Sequence, residues 1–199
     1  EKTMTRSLYS DLAGLSAAHQ HLSDEAFLQG LLTVEAALSV AASRAGAISE
    51  DEAVTASETI AAYQLDPEEL ARASAQGANP TIPLVTALKA INPAGIHPGA
   101  TSQDIIDTSL MLCLRDASRE IEADLGTLAQ TLADLTRQYR DTPMMAHTLG
   151  QQAVPTTFGC ITAGWLQAIM RAQQGLRDLR FEVSYGGAAG TMTATHPYG

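Results

Sequence analysis

The stretch TSQDIIDTSLMLCLRDASREIEADLGTLAQTLADLTRQYR, residues 101–140, decides the fold. Its apolar residues Ile106, Leu110, Leu114, Ala117, Ile121, Leu125, Leu128, Leu132, Leu135 and Tyr139 follow one another at steps of three or four. That is the period of one face of an α-helix. No proline interrupts it, so the pattern predicts one helix roughly 60 Å long at about 1.5 Å per residue. A single apolar stripe of that length must be covered by other long helices. A coiled-coil stalk is the alternative. Thr127, Thr131 and the many alanines suit a globular helical bundle better.

Upstream, the chain spells a series of helix starts. After a short mixed opening segment, Leu8 to Leu22, Ser23 is an N-cap followed by Asp24 and Glu25 at the positive end of the helix dipole. Phe27, Leu31, Val34, Leu38 and Ala41 continue that helix to a stop near Gly46. Ser49 to Glu52 is a capping box opening a second helix to about Tyr63. Asp66-Pro67-Glu68-Glu69 opens a third, which Gly77 can end, and Ile82 to Ile91 is a short fourth. Asn92 to Gly99 and Asp141 to Gln152 read as loops on either side of the long helix. Pro155 fits the first turn of a last helix running to about Phe181, and Gly186 to Thr191 is irregular. The expected fold is all-α: a small N-terminal helical domain over residues 1–95, then the start of a long-helix central bundle over residues 96–199.

Composition supports this class. Hydrophobic residues make up 45% of the 199 residues and aromatics only 5%. Alanine and leucine dominate, and both lose little side-chain entropy in a helix. The formal net charge of −10 disfavours nucleic acid and anionic membrane as partners. An anionic substrate therefore needs a local site that overcomes the global field. The opening residues lack a signal-peptide pattern and no unbroken apolar run has membrane-spanning length, so a cytoplasmic location is the expectation. Cys113 and Cys160, each in an apolar stretch, read as reduced core residues.

Chemistry-bearing residues gather in the breaks between helices. The first group, His97-Pro98-Gly99-Ala100-Thr101-Ser102-Gln103-Asp104, stands at the mouth of the long helix. Helix N-terminal N–H groups favour an anion there. Thr101 and Ser102 add hydroxyl donors, and His97 can donate a hydrogen bond or a proton near neutral pH. Equally, Thr101 or Ser102 is an N-cap, Asp104 a dipole partner and His97 a loop residue. The second group runs from His147 to Gly159, where Thr148, Gln151 and Gln152 suit carboxylate oxygens, while Thr156 or Thr157 suits a helix cap. The third, Ser184 to Thr191, has glycines able to cradle a phosphate, but not at P-loop or dinucleotide spacing. No histidine pair has zinc-ligand spacing with supporting side chains, so neither metal nor cofactor is expected.

Taken together, these three segments resemble the shared active-site segments of the fumarase/aspartase superfamily. His97 to Asp104, followed by Ile105-Ile106-Asp107-Thr108, is similar to the first. Thr148 to Gly159, ending Pro-Thr-Thr-Phe-Gly, is similar to the second, and Gly186 to Thr191 to the glycine turn that follows. Gly77-Ala78-Asn79-Pro80-Thr81-Ile82-Pro83-Leu84-Val85, Val34-Glu35-Ala36-Ala37-Leu38 and Ala45-Gly46-Ala47-Ile48 resemble stretches of the bacterial 3-carboxy-cis,cis-muconate cycloisomerases within it. Eliminating lyases of the superfamily carry histidine directly after the threonine of the second segment. Leu149 stands there, and the cycloisomerases also lack that histidine, while Gln152 and His147 replace a histidine and an arginine found in relatives.

The resemblance implies lactonisation of 3-carboxy-cis,cis-muconate to 4-carboxymuconolactone in protocatechuate (β-ketoadipate pathway) breakdown. His97 and Ser102 would belong to the catalytic set, and Thr101, Gln103, Thr148, Gln151 and Gln152 would bind the polycarboxylate substrate. It also implies a homotetramer whose active sites draw on three subunits. Family members are about twice this long, and their catalytic serine lies in a Gly-Ser-Ser-x-Met-Pro segment found nowhere in residues 1–199. The chain is therefore expected to be an N-terminal part lacking that loop. An adenylosuccinate lyase-like β-elimination and an inactive helical assembly fragment are the alternatives.

Overall fold

The structure is a computed structural model and describes residues 17–64 and 66–198. The opening segment from Leu8 lies outside these residues as far as position 16. A short 3-10 helix, Ala17–Leu22, leads into α1 (Asp24–Arg44), α2 (Glu50–Ala62), α3 (Pro67–Gly77), α4 (Thr81–Ile91) and α5 (Ser102–Gln138). Two strands, β1 (Pro143–Thr148) and β2 (Gln151–Thr157), and a helix, α6 (Phe158–Arg177), follow. Among the described residues the fold is all-α but for that hairpin.

Local chemistry sets the helix ends. The Ser23 hydroxyl accepts from the Ala26 N–H at 3.1 Å and starts α1. At α2, Ser49 Oγ accepts from the Glu52 N–H at 3.2 Å, and the Glu52 carboxylate accepts from the Ser49 N–H at 2.8 Å. Asp66 caps α3 through the N–H groups of Glu68 and Glu69, with Pro67 in the first turn, where a missing N–H is harmless. The long helix has 37 residues, about 55 Å at 1.5 Å per residue.

The described residues divide into two compact units: those up to Ala117 together with those from Phe181 onward, and Ser118–Arg180. In the first, α1 is the central element. Leu31 and Glu35 have no exposed surface, and Leu28, Leu31, Leu32, Ile60, Leu84 and Leu88 share one core with Ile96 and Ile105. Burying one leucine fully contributes about 2 kcal/mol. By length and composition α1 could cross a membrane, but Glu35 interrupts its apolar run. Here it is the core helix of a globular unit.

The second unit corrects two readings of the sequence. Asp141 to Gln152 is not a plain loop, and Pro155 is not in a helical turn. Pro143 to Thr157 form an antiparallel hairpin in which Pro155 pairs with Met145, with an irregularity between Met145 and His147. In a two-stranded sheet every strand is an edge, so proline is tolerated. Leu149 and Gly150 make the two-residue turn, with φ of 49° and 74°. Both being positive, this is the turn whose twist matches a hairpin. Helix α6 starts only after Thr157, whose hydroxyl accepts from the Cys160 N–H at 3.1 Å, and ends at Arg177 rather than Phe181.

Contacts inside this unit join the hairpin and α6 to the end of α5. The Phe158 N–H donates to Thr142 O at 3.0 Å and the Gly159 N–H to Tyr139 O at 2.9 Å. The hydroxyls of Thr136 and Thr162 share a hydrogen bond of 2.9 Å. The Phe158 ring meets Tyr139 edge-on with centroids 5.4 Å apart. Cys113 is buried, as expected, but Cys160 is exposed in the first turn of α6, because the helix begins three residues later than its proline suggested.

Candidate functional site

His97 lies in the loop between α4 and α5, with a left-handed backbone (φ 54°). Two groups on α1, one turn apart, hold this loop. The Ser39 hydroxyl reaches the Gly95 carbonyl at 2.7 Å, and Glu35 Oε1 lies 2.6 Å from His97 Nδ1. The loop also rests on α2: a Cβ on Gly95 would stand 2.6 Å from the Glu52 carbonyl oxygen, so only glycine fits there. Glu35 escaped the sequence reading as a candidate site residue. It sits in an apolar helical run, and its partner lies 62 residues away. A carboxylate at a core position of an amphipathic helix was the available signal.

At the mouth of α5 the structure changes the meaning of Asp104. Its carboxylate accepts from the Thr101 N–H at 3.0 Å, while its own N–H donates to Thr101 O at 3.1 Å. This is the reciprocal half of a capping box. The Thr101 N–H is thus occupied rather than free for an external anion. The same carboxylate accepts from the N–H groups of Gly186 and Gly187, each at 3.0 Å, and from the Ser184 hydroxyl at 3.2 Å. The glycine turn therefore cradles an anion supplied by the chain itself. Burial pushes the Asp104 pKa up, but the donors from Thr101, Gly186, Gly187 and Ser184 outweigh it and hold the acid below its ordinary value.

The other members of the first segment are more open. Thr101 and Ser102 are partly exposed, and Gln103 is exposed, with its amide donating to Asp107 at 2.7 Å. One segment on, Thr108 Oγ1 accepts from the Ser184 N–H at 3.0 Å, which ties residues 184–187 along the first two turns of α5. An apolar cavity of about 710 Å³ lies within the same unit, lined by Val34, Ala37, Leu38, Ile105, Tyr185 and Thr195 among others.

Thr148, Gln151 and Gln152 belong to the second unit. All three are exposed on the hairpin, with Thr148 opposite Gln151 and His147 opposite Gln152 around the Leu149–Gly150 turn. The turn thus gathers these polar side chains at one end of the hairpin, and Leu149 stands fully exposed at its tip. Among the described residues no group of three or more His, Cys, Asp or Glu side chains is placed to hold a metal ion.

A family model described as "Lyase" matches residues 16–199. The 3-carboxy-cis,cis-muconate cycloisomerase of Pseudomonas putida is 40% identical over 201 residues, covering 96% of this chain and 48% of the relative. A nitrosuccinate lyase of Streptomyces davaonensis is 42% identical over 180 residues, covering 86% of this chain and 38% of the relative. The crystal structure of 3-carboxy-cis,cis-muconate lactonizing enzyme from Pseudomonas putida superposes with a TM-score of 0.88 at 38% identity, covering 96% of this chain and 46% of that one. The chain thus spans half or less of the length of these relatives. With the model matched from residue 16 onward and the helical fold shared, the chain belongs to the lyase family, the fumarase/aspartase superfamily that its three polar segments resemble.

Proposed function

We propose that this chain is part of a cycloisomerase that closes 3-carboxy-cis,cis-muconate to its lactone. The observation that carries the reading is the joint likeness, in sequence and in fold, to the cycloisomerase of Pseudomonas putida over 96% of the chain. In that reaction a substrate carboxylate oxygen bonds to a carbon of a conjugated double bond. The displaced electron pair moves to the carbon beside another carboxylate, which then takes a proton. Charge develops on that carboxylate, and preorganised donors lower the barrier.

The partly exposed hydroxyls of Thr101 and Ser102 at the opening of α5, with Gln103, suit one end of such a polycarboxylate. Thr148, Gln151 and Gln152 supply neutral donors of the same kind. His97, held from behind by Glu35, positions or polarises the substrate. By family resemblance, general acid–base work would fall to a serine segment found nowhere in residues 1–199. Exposed Ile121, Leu128, Trp165 and Met170 in the second unit need cover, which supports assembly into an oligomer, by family resemblance a homotetramer. The cytoplasm is the location that suits a soluble metabolic enzyme of this kind.

The test is consumption of 3-carboxy-cis,cis-muconate by the protein expressed from its complete coding sequence, followed by ultraviolet absorbance. Lactone formation supports the reading, and no consumption by a folded oligomer sinks it. A second reading, β-elimination from a substituted succinate, is favoured by the 42% identity to a nitrosuccinate lyase. Fumarate release from nitrosuccinate or adenylosuccinate, with no lactonisation, would put it first. Leu149, where eliminating lyases carry histidine, speaks against it.

A further inference from the structure

Among the described residues, Glu35 is a side chain that core stability does not explain. It lies on the buried side of α1 with no exposed surface, flanked by Val34 and Ala36. One carboxylate oxygen meets His97 Nδ1 at 2.6 Å, and the other, Oε2, is buried with no hydrogen-bond partner among the described residues. A buried carboxylate with one unsatisfied oxygen carries a desolvation cost on the order of what its single partner returns. An apolar pair in place of both Glu35 and His97 would serve the core at least as well.

What Glu35 does supply is direction. Ser39, one turn further along α1, holds the Gly95 carbonyl, and α2 leaves no room for a side chain at Gly95. The backbone leading to His97 is thereby set, and ring rotation is the freedom that remains. An ionised carboxylate only accepts, so it selects the tautomer in which the ring nitrogen facing it carries the proton. We propose that Glu35 is a positioning residue for His97: its carboxylate keeps the proton on Nδ1, fixes the ring plane, and leaves Nε2 as the nitrogen that meets the substrate. This rests on the reading that His97 works on substrate. Its spectroscopic test does not.

The experiment uses the protein from its complete coding sequence, with Glu35→Leu, Glu35→Gln and, should the branched leucine not fit, Glu35→Met. The ring ¹⁵N shifts of His97, assigned by comparison with His97→Asn, report which nitrogen is protonated in the neutral ring. The wild type is expected to show Nδ1–H, and Glu35→Leu to shift toward Nε2–H, the form that an unconstrained histidine prefers. Glu35→Leu is expected to stay folded, while kcat drops about 10- to 100-fold, the order of loss when the carboxylate that orients a metal-bound histidine is removed. Glu35→Gln, whose amide oxygen still accepts from Nδ1–H, is expected to restore the tautomer and most of the rate. An unchanged tautomer in Glu35→Leu overturns the proposal, as does an unchanged kcat. If the wild type turns over neither muconate nor succinate substrates, the functional reading falls and the tautomer result alone decides the role of Glu35.

Discussion

The Asp104 carboxylate accepts the backbone N–H of Gly187 at 3.0 Å across 83 residues of sequence. It binds the first and third polar segments into one piece and fills the glycine cradle with a charge of the chain's own. Asp104→Asn keeps the size but turns two donors toward a ring of donors. A net loss of about 3 kcal/mol is expected, from the bonds to a charged acceptor and the N–H groups left unpaired. Urea denaturation of the two proteins checks it.

The same carboxylate makes a pH prediction with a definite sign. Its folded pKa lies below its ordinary, unfolded value, so its stabilisation is complete above the ordinary aspartate range. It is lost as pH falls through that range toward the folded value. Wild-type stability is therefore expected to decline over this acid window more steeply than that of Asp104→Asn, as urea midpoints measured at several pH values would show.

Gly159 sits where α6 crosses the end of α5. A Cβ there would stand 2.6 Å from Arg140 Cα and 2.9 Å from Thr136 O, both backbone atoms that cannot step aside. Gly159→Ala is expected to cost about 1–3 kcal/mol through overpacking, even though alanine is the better helix former. The expected readout is a lower thermal midpoint with the Phe158 and Trp165 environment altered in near-ultraviolet circular dichroism.

Leu149 holds a left-handed backbone at the tip of the hairpin, fully exposed. Leucine in that conformation is strained by roughly 1–2 kcal/mol. Asparagine before glycine is the preferred pair for this turn. Leu149→Asn is expected to stabilise the protein by about 1 kcal/mol, read as a raised urea midpoint with an unchanged slope. A drop in stability would show that the leucine is held by contacts other than the turn.

Ser39→Ala removes the hydroxyl that grips the Gly95 carbonyl. A loss of about 1–2 kcal/mol is expected from the unmade bond. Hydrogen exchange is expected to quicken in residues 92–100 while α2, capped by its own box, keeps its protection.

Helix starts were legible because they are local. Ser23, Ser49 and Asp66 each reach an N–H two or three residues ahead, and the period of three to four along α5 follows from helical geometry alone. The all-α class, the long helix and the three polar segments could therefore be read from residues 17–198 without coordinates. The hairpin could not, because Pro143 and Pro155 look like strand breakers unless both strands are edges, and Leu149–Gly150 lacks the usual asparagine. Nor could the partners of the charged residues. Which anion the glycine turn holds, and which ring Glu35 faces, depend on atoms 82 and 62 positions apart, respectively. Local chemistry decides where a helix begins. Only the folded chain decides where a buried charge finds its partner, since burial makes an unpaired charge too costly to leave alone.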